Sequence, residues 1–295
     1  MTHKAGFVSI IGLPNAGKST LMNALVGEKL SIITSKAQTT RHRIMGILNG
    51  EDFQVVYSDT PGIIRKSHYL LHKAMLKFVE AALEDADLIL FVSDISLENE
   101  DDELIEMIRK REVPKLVLVN KIDLSDQAKL EQKMLWWKEK MPDAIILPIS
   151  ALHHFNMDMV LKNIIGMLPE SPPYFPKDEL TDRSQRFFVS EIIREKILLN
   201  YKDEIPYSAE VVVESFRESD KITVISANIH VARESQKAII LGHQGQAIRK
   251  MGTAARKDIE AFLEHKVYLE LTVKVTKDWR DNELMLARFG YPRPE

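Results

Sequence analysis

The sequence predicts two domains of different class: an α/β domain over residues 1–168 with a mostly parallel sheet, and an α+β domain over 184–295. Three observations predict this. Short apolar runs alternate with helical stretches through the first 170 residues, the pattern of βαβ units. Four prolines fall within Pro169-Glu-Ser-Pro172-Pro173-Tyr-Phe-Pro176, which neither a helix nor a central strand tolerates, so residues 169–183 read as a stiff linker. Beyond it, Val267, Leu269, Leu271, Val273 and Val275 alternate strictly with Tyr268, Glu270, Thr272 and Lys274, the mark of a half-buried strand.

Each element follows in order. Phe7-Val8-Ser9-Ile10-Ile11 is an apolar run ending at a glycine, which suits a buried parallel strand. Further runs are Phe53 to Tyr57, Leu88 to Val92, Leu116 to Val119 and Ile145 to Leu147. Residues 72–83 carry Met75, Leu76, Val79, Ala82 and Leu83 at helical spacing. In the second half, 184–199 reads as helix, 209–216 and 222–232 as strands, and 246–263 as a helix interrupted at Gly252. The second domain then has one solvated sheet face and helices on the other.

Composition narrows the function. The chain has 295 residues with 40 Lys+Arg against 43 Asp+Glu, a formal charge of -3, which excludes a chain-wide polybasic binder. The basic excess is local: residues 221–280 carry 11 basic and 6 acidic side chains. There is no cysteine, which excludes a disulfide framework, thiol catalysis and a Cys-ligated metal. No apolar run is long enough to span a membrane. The start, Met-Thr-His-Lys-Ala-Gly, runs directly into a strand pattern without a signal or transit signature, so a cytoplasmic location is expected.

Gly12-Leu-Pro-Asn-Ala-Gly17-Lys18-Ser19 matches G-x-x-x-x-G-K-[ST] between a strand and a helix, the setting of a P-loop. Its glycines let backbone N–H groups face phosphate oxygens, and the helix N-terminus adds its dipole. Lys18 then reaches the β- and γ-phosphates, and the Ser19 hydroxyl ligates Mg²⁺. Gly12, Asn15, Ala16, Gly17, Lys18, Ser19 and Thr20 form the phosphate-binding stretch. Asn120-Lys121-Ile122-Asp123 follows an apolar strand and selects the base. A carboxylate only accepts, so Asp123 matches the paired donors on the edge of guanine, which adenine lacks. Asp59-Thr60-Pro61-Gly62 closes another strand, placing Asp59 to hold Mg²⁺ through water and the Gly62 N–H near the γ-phosphate.

These spacings together resemble the TRAFAC class of small GTPases. The resemblance implies that Thr40, in a switch I that includes Thr39, ligates Mg²⁺ only when the γ-phosphate is present. It also implies that Ser150-Ala151 form the fifth guanine-binding motif. Ile63 stands where Ras-like enzymes place a water-orienting glutamine, so slow intrinsic turnover is expected. In similar GTPases the residue at Asn15 helps hold a K⁺ ion near the β/γ bridge.

Gly242-His243-Gln244-Gly245 lies between a strand and a helix bearing Arg249, Lys250, Arg256 and Lys257. A KH fold uses such a G-x-x-G to admit a nucleic-acid backbone close to the main chain, with cations nearby for phosphates. With these motifs, the stretches Lys36-Ala-Gln-Thr-Thr-Arg-His-Arg43, Thr181-Asp-Arg-Ser-Gln-Arg-Phe, Ser190-Glu-Ile-Ile-Arg-Glu-Lys196, Pro206-Tyr207-Ser208 and Phe289-Gly-Tyr291 make the chain resemble the Era family. The resemblance implies a P-loop GTPase domain with a six-stranded, mostly parallel sheet, and a C-terminal type II KH domain with its core at about 204–280. It further implies GTP hydrolysis, binding near the 3′ end of 16S rRNA, assistance to 30S subunit assembly, and peripheral association with the inner face of the plasma membrane. The protein is expected to be monomeric. Two positions depart from the family: Leu13 stands where Arg is usual, and His243-Gln244 replace a pair that usually contains lysine. Two other readings of the motifs are a constitutive RNA-binding module and a membrane-associated signalling GTPase.

Overall fold

The computed structural model describes residues 2–63, 69–98 and 100–293. The chain divides into two compact units, Met1–Lys66 with Met75–Asp182, and Ser67–Ala74 with Arg183–Glu295.

The first unit is an α/β sandwich. Its strands are β1 (Lys4–Ile11), β2 (Ile44–Asn49), β3 (Phe53–Asp59), β4 (Leu88–Asp94), β5 (Lys115–Asn120) and β6 (Ile145–Pro148). Its helices are α1 (Lys18–Val26), α2 (Leu70–Asp85) from Met75 onward, α3 (Asp102–Arg109), α4 (Gln127–Lys140) and α5 (Met157–Met167). The sheet order is β2-β3-β1-β4-β5-β6, and only β2 runs antiparallel to its neighbour. Every residue of β4 is buried, as expected for a central strand with helices on both faces. The register aligns Ile10 with Asp59, Ile11 with Phe91 and Asp94 with Asn120. The carboxyl ends of the strands therefore line one crevice, where such sheets bind ligands. Two helices start on side-chain caps: Asp101 accepts the Leu104 N–H at 3.0 Å and Asp126 accepts the Lys129 N–H at 2.8 Å.

Strand β2 does not stand out in the sequence, because Gly46 interrupts its apolar run. A Cβ there would lie 2.9 Å from Val26 Cγ2, so the glycine lets β2 pack on α1. Of residues 169–183, read as a stiff linker, those up to Asp182 belong to this unit and bond along it. Ala5 N–H donates to the Pro169 carbonyl, Gln54 Oε1 accepts from the Tyr174 and Phe175 N–H groups, and Ile47 N–H donates to the Leu180 carbonyl. Thr181 Oγ1 donates to the Met45 carbonyl at 2.7 Å, and Asp182 Oδ1 accepts the Met45 N–H at 3.1 Å. The outer edge of β2 thus gains partners that no spacing rule announces.

The second unit holds α6 (Gln185–Asn200), α7 (Ile205–Ser208), β7 (Glu210–Arg217), β8 (Thr223–Val231), α8 (Glu234–Leu241), α9 (Gln246–Leu263), β9 (Val267–Val275) and α10 (Glu283–Arg288). The sheet order is β7-β8-β9, with β7 antiparallel to β8 and β8 parallel to β9. The parallel pair needs a crossover, which α8 and α9 supply. Ile193, Ile225, Ala227, Ile229, Met251 and Ile259 form its core. Helix α9 is continuous through Gly252, contrary to the expected interruption. A Cβ on Gly252 would lie 3.0 Å from Leu271 Cδ1, so this glycine serves close approach of helix to strand. One end of the outer sheet face is covered by the C-terminal segment, where Tyr291 Oη donates to Glu210 Oε2 at 2.6 Å.

Candidate functional site

The loop between β1 and α1 has glycine where nothing else fits. A Cβ on Gly12 would lie 2.4 Å from the Val92 carbonyl oxygen, and one on Gly17 would lie 2.2 Å from Asn120 Nδ2. Gly17 also sits at φ 98 and Asn15 at φ 63, so the loop curls and its N–H groups converge. Lys18 Nζ donates to the Gly12 and Leu13 carbonyls at 3.0 and 2.9 Å. Burial lowers its pKa to about 8, against the attraction of Asp59, which raises it.

Ser19, Thr40 and Asp59 meet at the mouth of this loop. Ser19 Oγ lies 2.8 Å from Thr40 Oγ1 and donates to Asp59 Oδ2 at 2.7 Å, while Thr40 Oγ1 lies 3.4 Å from the same oxygen. Burial raises the Asp59 pKa, and hydrogen bonds from Ser19, Ser31 and Thr40, with the Lys18 charge, oppose that rise. Asp59 Oδ1 is buried without a hydrogen-bond partner. Two hydroxyls and a carboxylate with an unused oxygen are a hard-oxygen donor set, which fits Mg²⁺. Thr39 is turned into its own loop instead, bonded to the Lys36 carbonyl and Thr34 at 2.6 Å each. Asn15 Nδ2 donates to the Ser35 carbonyl at 2.9 Å. A Cβ on Gly62 would lie 2.7 Å from Pro14 Cα, so its backbone presses against the P-loop. Ile63 is 6% exposed and belongs to the core, which explains why no water-orienting group is found there.

Asn120 ties two loops together. Its Nδ2 donates to the Ala16 carbonyl at 2.8 Å and its Oδ1 accepts the Ala151 N–H at 3.0 Å. Lys121 takes φ 64 and its ammonium pairs with Asp94 Oδ2 at 2.6 Å. Burial works against the Asp94 charge, but hydrogen bonds from Lys121 and Ser96 outweigh it and hold the carboxyl below its usual range. Ser150 Oγ donates to Asp123 Oδ1 at 2.5 Å. The resulting cavity of about 540 Å³ is lined from Asn15, Lys18, Thr20 and Thr40 at one end to Asp123 and Ser150 at the other. Asp94, Leu124 and Leu152 were not legible as site residues. The two leucines are 70% and 69% exposed yet line the cavity, which is where a flat base needs apolar contact.

In the second unit, Gly242 sits at φ 67, Gln244 at φ 50 and Gly245 at φ 76. The loop joins α8 to α9, so a helix precedes it and not the expected strand, which ends at Val231, and His243 and Gln244 are exposed. Met251, Ala255 and Ile259 bury one face of α9, leaving Arg249, Lys250, Arg256 and Lys257 exposed. Arg249 and Lys250 lie one turn from the loop. Arg256 and Lys257 lie about 10 Å further along at 1.5 Å per residue, and Arg256 pairs with Glu260 at 3.3 Å.

A family model described as a 50S ribosome-binding GTPase matches residues 7–121, and one for the KH domain matches residues 204–280. GTPase Era of Clostridium kluyveri is 43% identical over 98% of this chain and 99% of its own length. The chloroplastic GTPase ERA-like protein of Oryza sativa is 43% identical over 98% of this chain and 70% of its own. A crystal structure of Era in complex with MgGDPNP and nucleotides 1506–1542 of 16S ribosomal RNA superposes with a TM-score of 0.94 at 39% identity, covering 98% of this chain and 99% of that one. An Aquifex aeolicus Era variant bound to GDP and AlF4⁻ superposes with a TM-score of 0.93 at 38% identity, covering 98% and 99%. Identity of this order across both units makes the chain a member of the Era family of GTPases.

Proposed function

We propose that the protein binds GTP with Mg²⁺, hydrolyses it to GDP and phosphate, and couples that cycle to binding and release of the 3′ end region of 16S rRNA during 30S subunit assembly. The observation that carries the nucleotide half is the meeting of Ser19, Thr40 and Asp59 beside Lys18, at one end of a cavity whose other end is Asp123. Such a cluster would be idle in a constitutive RNA-binding module. The RNA half rests on the G-x-x-G loop and on the likeness to the Era complex with 16S rRNA.

In this reading the backbone of Gly12 to Thr20 and the Lys18 ammonium hold the phosphates. Lys18 exchanges its two carbonyl partners for phosphate oxygens. Ser19, Thr40 and Asp59 would hold Mg²⁺, which supplies positive charge at the β- and γ-phosphates. Asp123 pairs with the guanine N1–H and amino group, and the Ala151 N–H, which donates to Asn120 Oδ1 at 3.0 Å, exchanges that acceptor for the base oxygen. The Gly62 N–H contacts the γ-phosphate. Asn15, held against the Ser35 carbonyl, is the ligand for a K⁺ ion that compensates for Ile63. Gly242 and Gly245 admit the RNA backbone, and Arg249, Lys250, Arg256 and Lys257 attract its phosphates.

A monomeric, cytoplasmic protein with peripheral attachment to the plasma membrane completes the proposal, supported by the family alone. Among the described residues no helix is long and apolar enough to cross a membrane. Liposome sedimentation tests the attachment. RNA crosslinking in the source cells tests the main reading: the 3′ end of small-subunit rRNA should dominate, and RNA affinity should differ between GTP and GDP. Equal RNA affinity with both nucleotides would leave a constitutive binder.

A further inference from the structure

The three residues after Thr40 form no helix or strand, yet all three side chains are buried: Arg41 at 0%, His42 at 6% and Arg43 at 8% exposure. Their placement is therefore set by side-chain contacts. Arg43 reaches two other elements. Its Nε and Nη2 donate to Ser58 Oγ at 3.1 and 3.0 Å, and its Nη1 donates to Asp85 Oδ2 at 2.6 Å. Ser58 immediately precedes Asp59 in β3, and Asp85 ends α2. His42 adds a ring contact with Phe78 of α2 at 5.9 Å.

From this fork we infer that Arg43 is a positioning residue for Thr40. The guanidinium fastens the end of switch I to the strand that carries Asp59 and to the end of α2, so the Thr40 hydroxyl arrives beside Ser19 and Asp59 with little freedom left to lose. The planar fork matters, because two N–H groups on one edge reach the same hydroxyl while a third reaches a carboxylate in another direction. Lysine offers one ammonium at one point and cannot reproduce this. The inference rests on the reading of the first unit as a GTP-binding switch.

The energetic consequence is selective. GDP binding does not use Thr40, whereas the γ-phosphate state does. Releasing the clamp leaves switch I spread over more conformations, and apparent affinity for the triphosphate falls by the fraction that remains competent. Loss of even one buried hydrogen bond from a charged donor corresponds to roughly tenfold in that fraction, so losing both bonds to Ser58 lowers it tenfold or more. Asp85 is half exposed, so its bond contributes less than the buried bonds to Ser58.

The test compares full-length wild type, Arg43→Lys, Ser58→Ala, Thr40→Ala and the double variant Arg43→Lys/Thr40→Ala. The readouts are dissociation constants for GDPNP and for GDP, both with Mg²⁺, and the melting temperature of each GDP complex. Arg43→Lys and Ser58→Ala should weaken GDPNP roughly tenfold or more, with GDP affinity held within about twofold, while each GDP complex still melts cooperatively but below wild type because the buried bonds are lost in both nucleotide states. In the Thr40→Ala background, Arg43→Lys should add nothing. Equal weakening of both nucleotides, or a full Arg43→Lys effect that persists without Thr40, overturns the inference and leaves Arg43 a structural ion. Ser58→Ala keeps the test open should Arg43→Lys fail to fold. Wild-type protein that binds neither nucleotide removes the reading beneath the inference, and the inference with it.

Discussion

A Cβ on Gly242 would lie 2.6 Å from the Cβ of Ala247, whereas a Cβ on Gly245 would meet no protein atom within 4 Å. The two glycines of the G-x-x-G loop thus have different tasks. Gly242 lets the loop turn back onto the first turn of α9. Gly245 keeps open space above the loop, and its φ of 76 makes a side chain there a strain of about 1–2 kcal/mol. Gly245→Asp should therefore fold, hydrolyse GTP without RNA at the wild-type rate, and lose RNA binding, because its carboxylate occupies and charges the space a phosphate needs. Gly242→Ala should destabilise the second unit more than Gly245→Ala. Filter binding, GTPase rates and melting curves on the same preparations decide it. Wild-type RNA affinity in Gly245→Asp would move the RNA site elsewhere, for instance to the Arg183–Lys196 stretch.

Lys250 and Lys257 are solvated and their charge is available to phosphates. Replacing either with alanine should weaken RNA binding across sequences alike. The salt dependence should fall by about 0.7 for each single-strand phosphate that the protein no longer neutralises. A KCl series measures this slope. A change in sequence preference instead would mean that the lysine reads bases.

Asp123 has one carboxylate oxygen already committed to Ser150, at 2.5 Å. That bond fixes the carboxylate plane before guanine arrives. Asp123→Asn should lose GTP and gain xanthosine triphosphate, since xanthine carries a carbonyl where guanine has its amino donor. The cost for GTP is on the order of 1.5–3 kcal/mol per hydrogen bond to the charged group. Competition binding with GTP, xanthosine triphosphate and ATP checks it. ATP binding as tight as GTP binding in the wild type would remove the base assignment.

Ile63 is buried in the core and offers nothing to an attacking water. A cation near Asn15 is the natural substitute, so hydrolysis should run faster in K⁺ than in Na⁺, and Asn15→Ala should shrink the difference. Equal rates in the two salts would leave Asn15 as the residue that simply bridges to the Ser35 carbonyl.

The parts of this architecture that were legible share one property: their chemistry needs fixed residue types at fixed short spacing. The P-loop, Asn120 to Asp123, Asp59 to Gly62 and the G-x-x-G all satisfy it. The strictly alternating strand at 267–275 was equally plain, since its pattern is set by one buried face. What stayed hidden depends on distant partners. Gln54 receives the Tyr174 and Phe175 amides from 120 and 121 positions away, so residues 169–182 looked like a spacer. Arg43 and Asp85 are 42 positions apart. Gly252 looked like a helix break because sequence alone does not reveal that Leu271 lies against it. The Trp136-Trp137 pair splits: Trp137 is fully buried with its indole N–H on Ser93 Oγ at 3.1 Å, while Trp136 lies under the ammonium groups of Lys133 and Lys140.

His230 gives the second unit a pH dependence. It is 4% exposed, its Nδ1 shares a hydrogen bond with Thr276 at 2.8 Å, and its ring lies 4.9 Å from that of Phe289. Its Nε2 is buried without a partner. Burial lowers its pKa, and Lys274 and Arg288 push it further down, while Glu210 and Glu214 pull the other way. The folded state therefore keeps the ring neutral at a pH where the unfolded chain, with a histidine pKa near 6.5, has begun to take up a proton. The unfolded state binds more protons over that window, so stability rises with pH there. The contribution of His230 is complete above about 6.5 and is lost as pH falls toward its depressed folded value. Melting curves of wild type and His230→Gln between pH 5 and 7.5 isolate it, because every other histidine cancels in the difference. The wild type should lose ground to the variant as pH falls, with the sharpest loss just below about 6.5. A difference that stays constant across the range would mean that His230 titrates alike in both states, and that the contact of Phe289 with its ring does not depend on its charge.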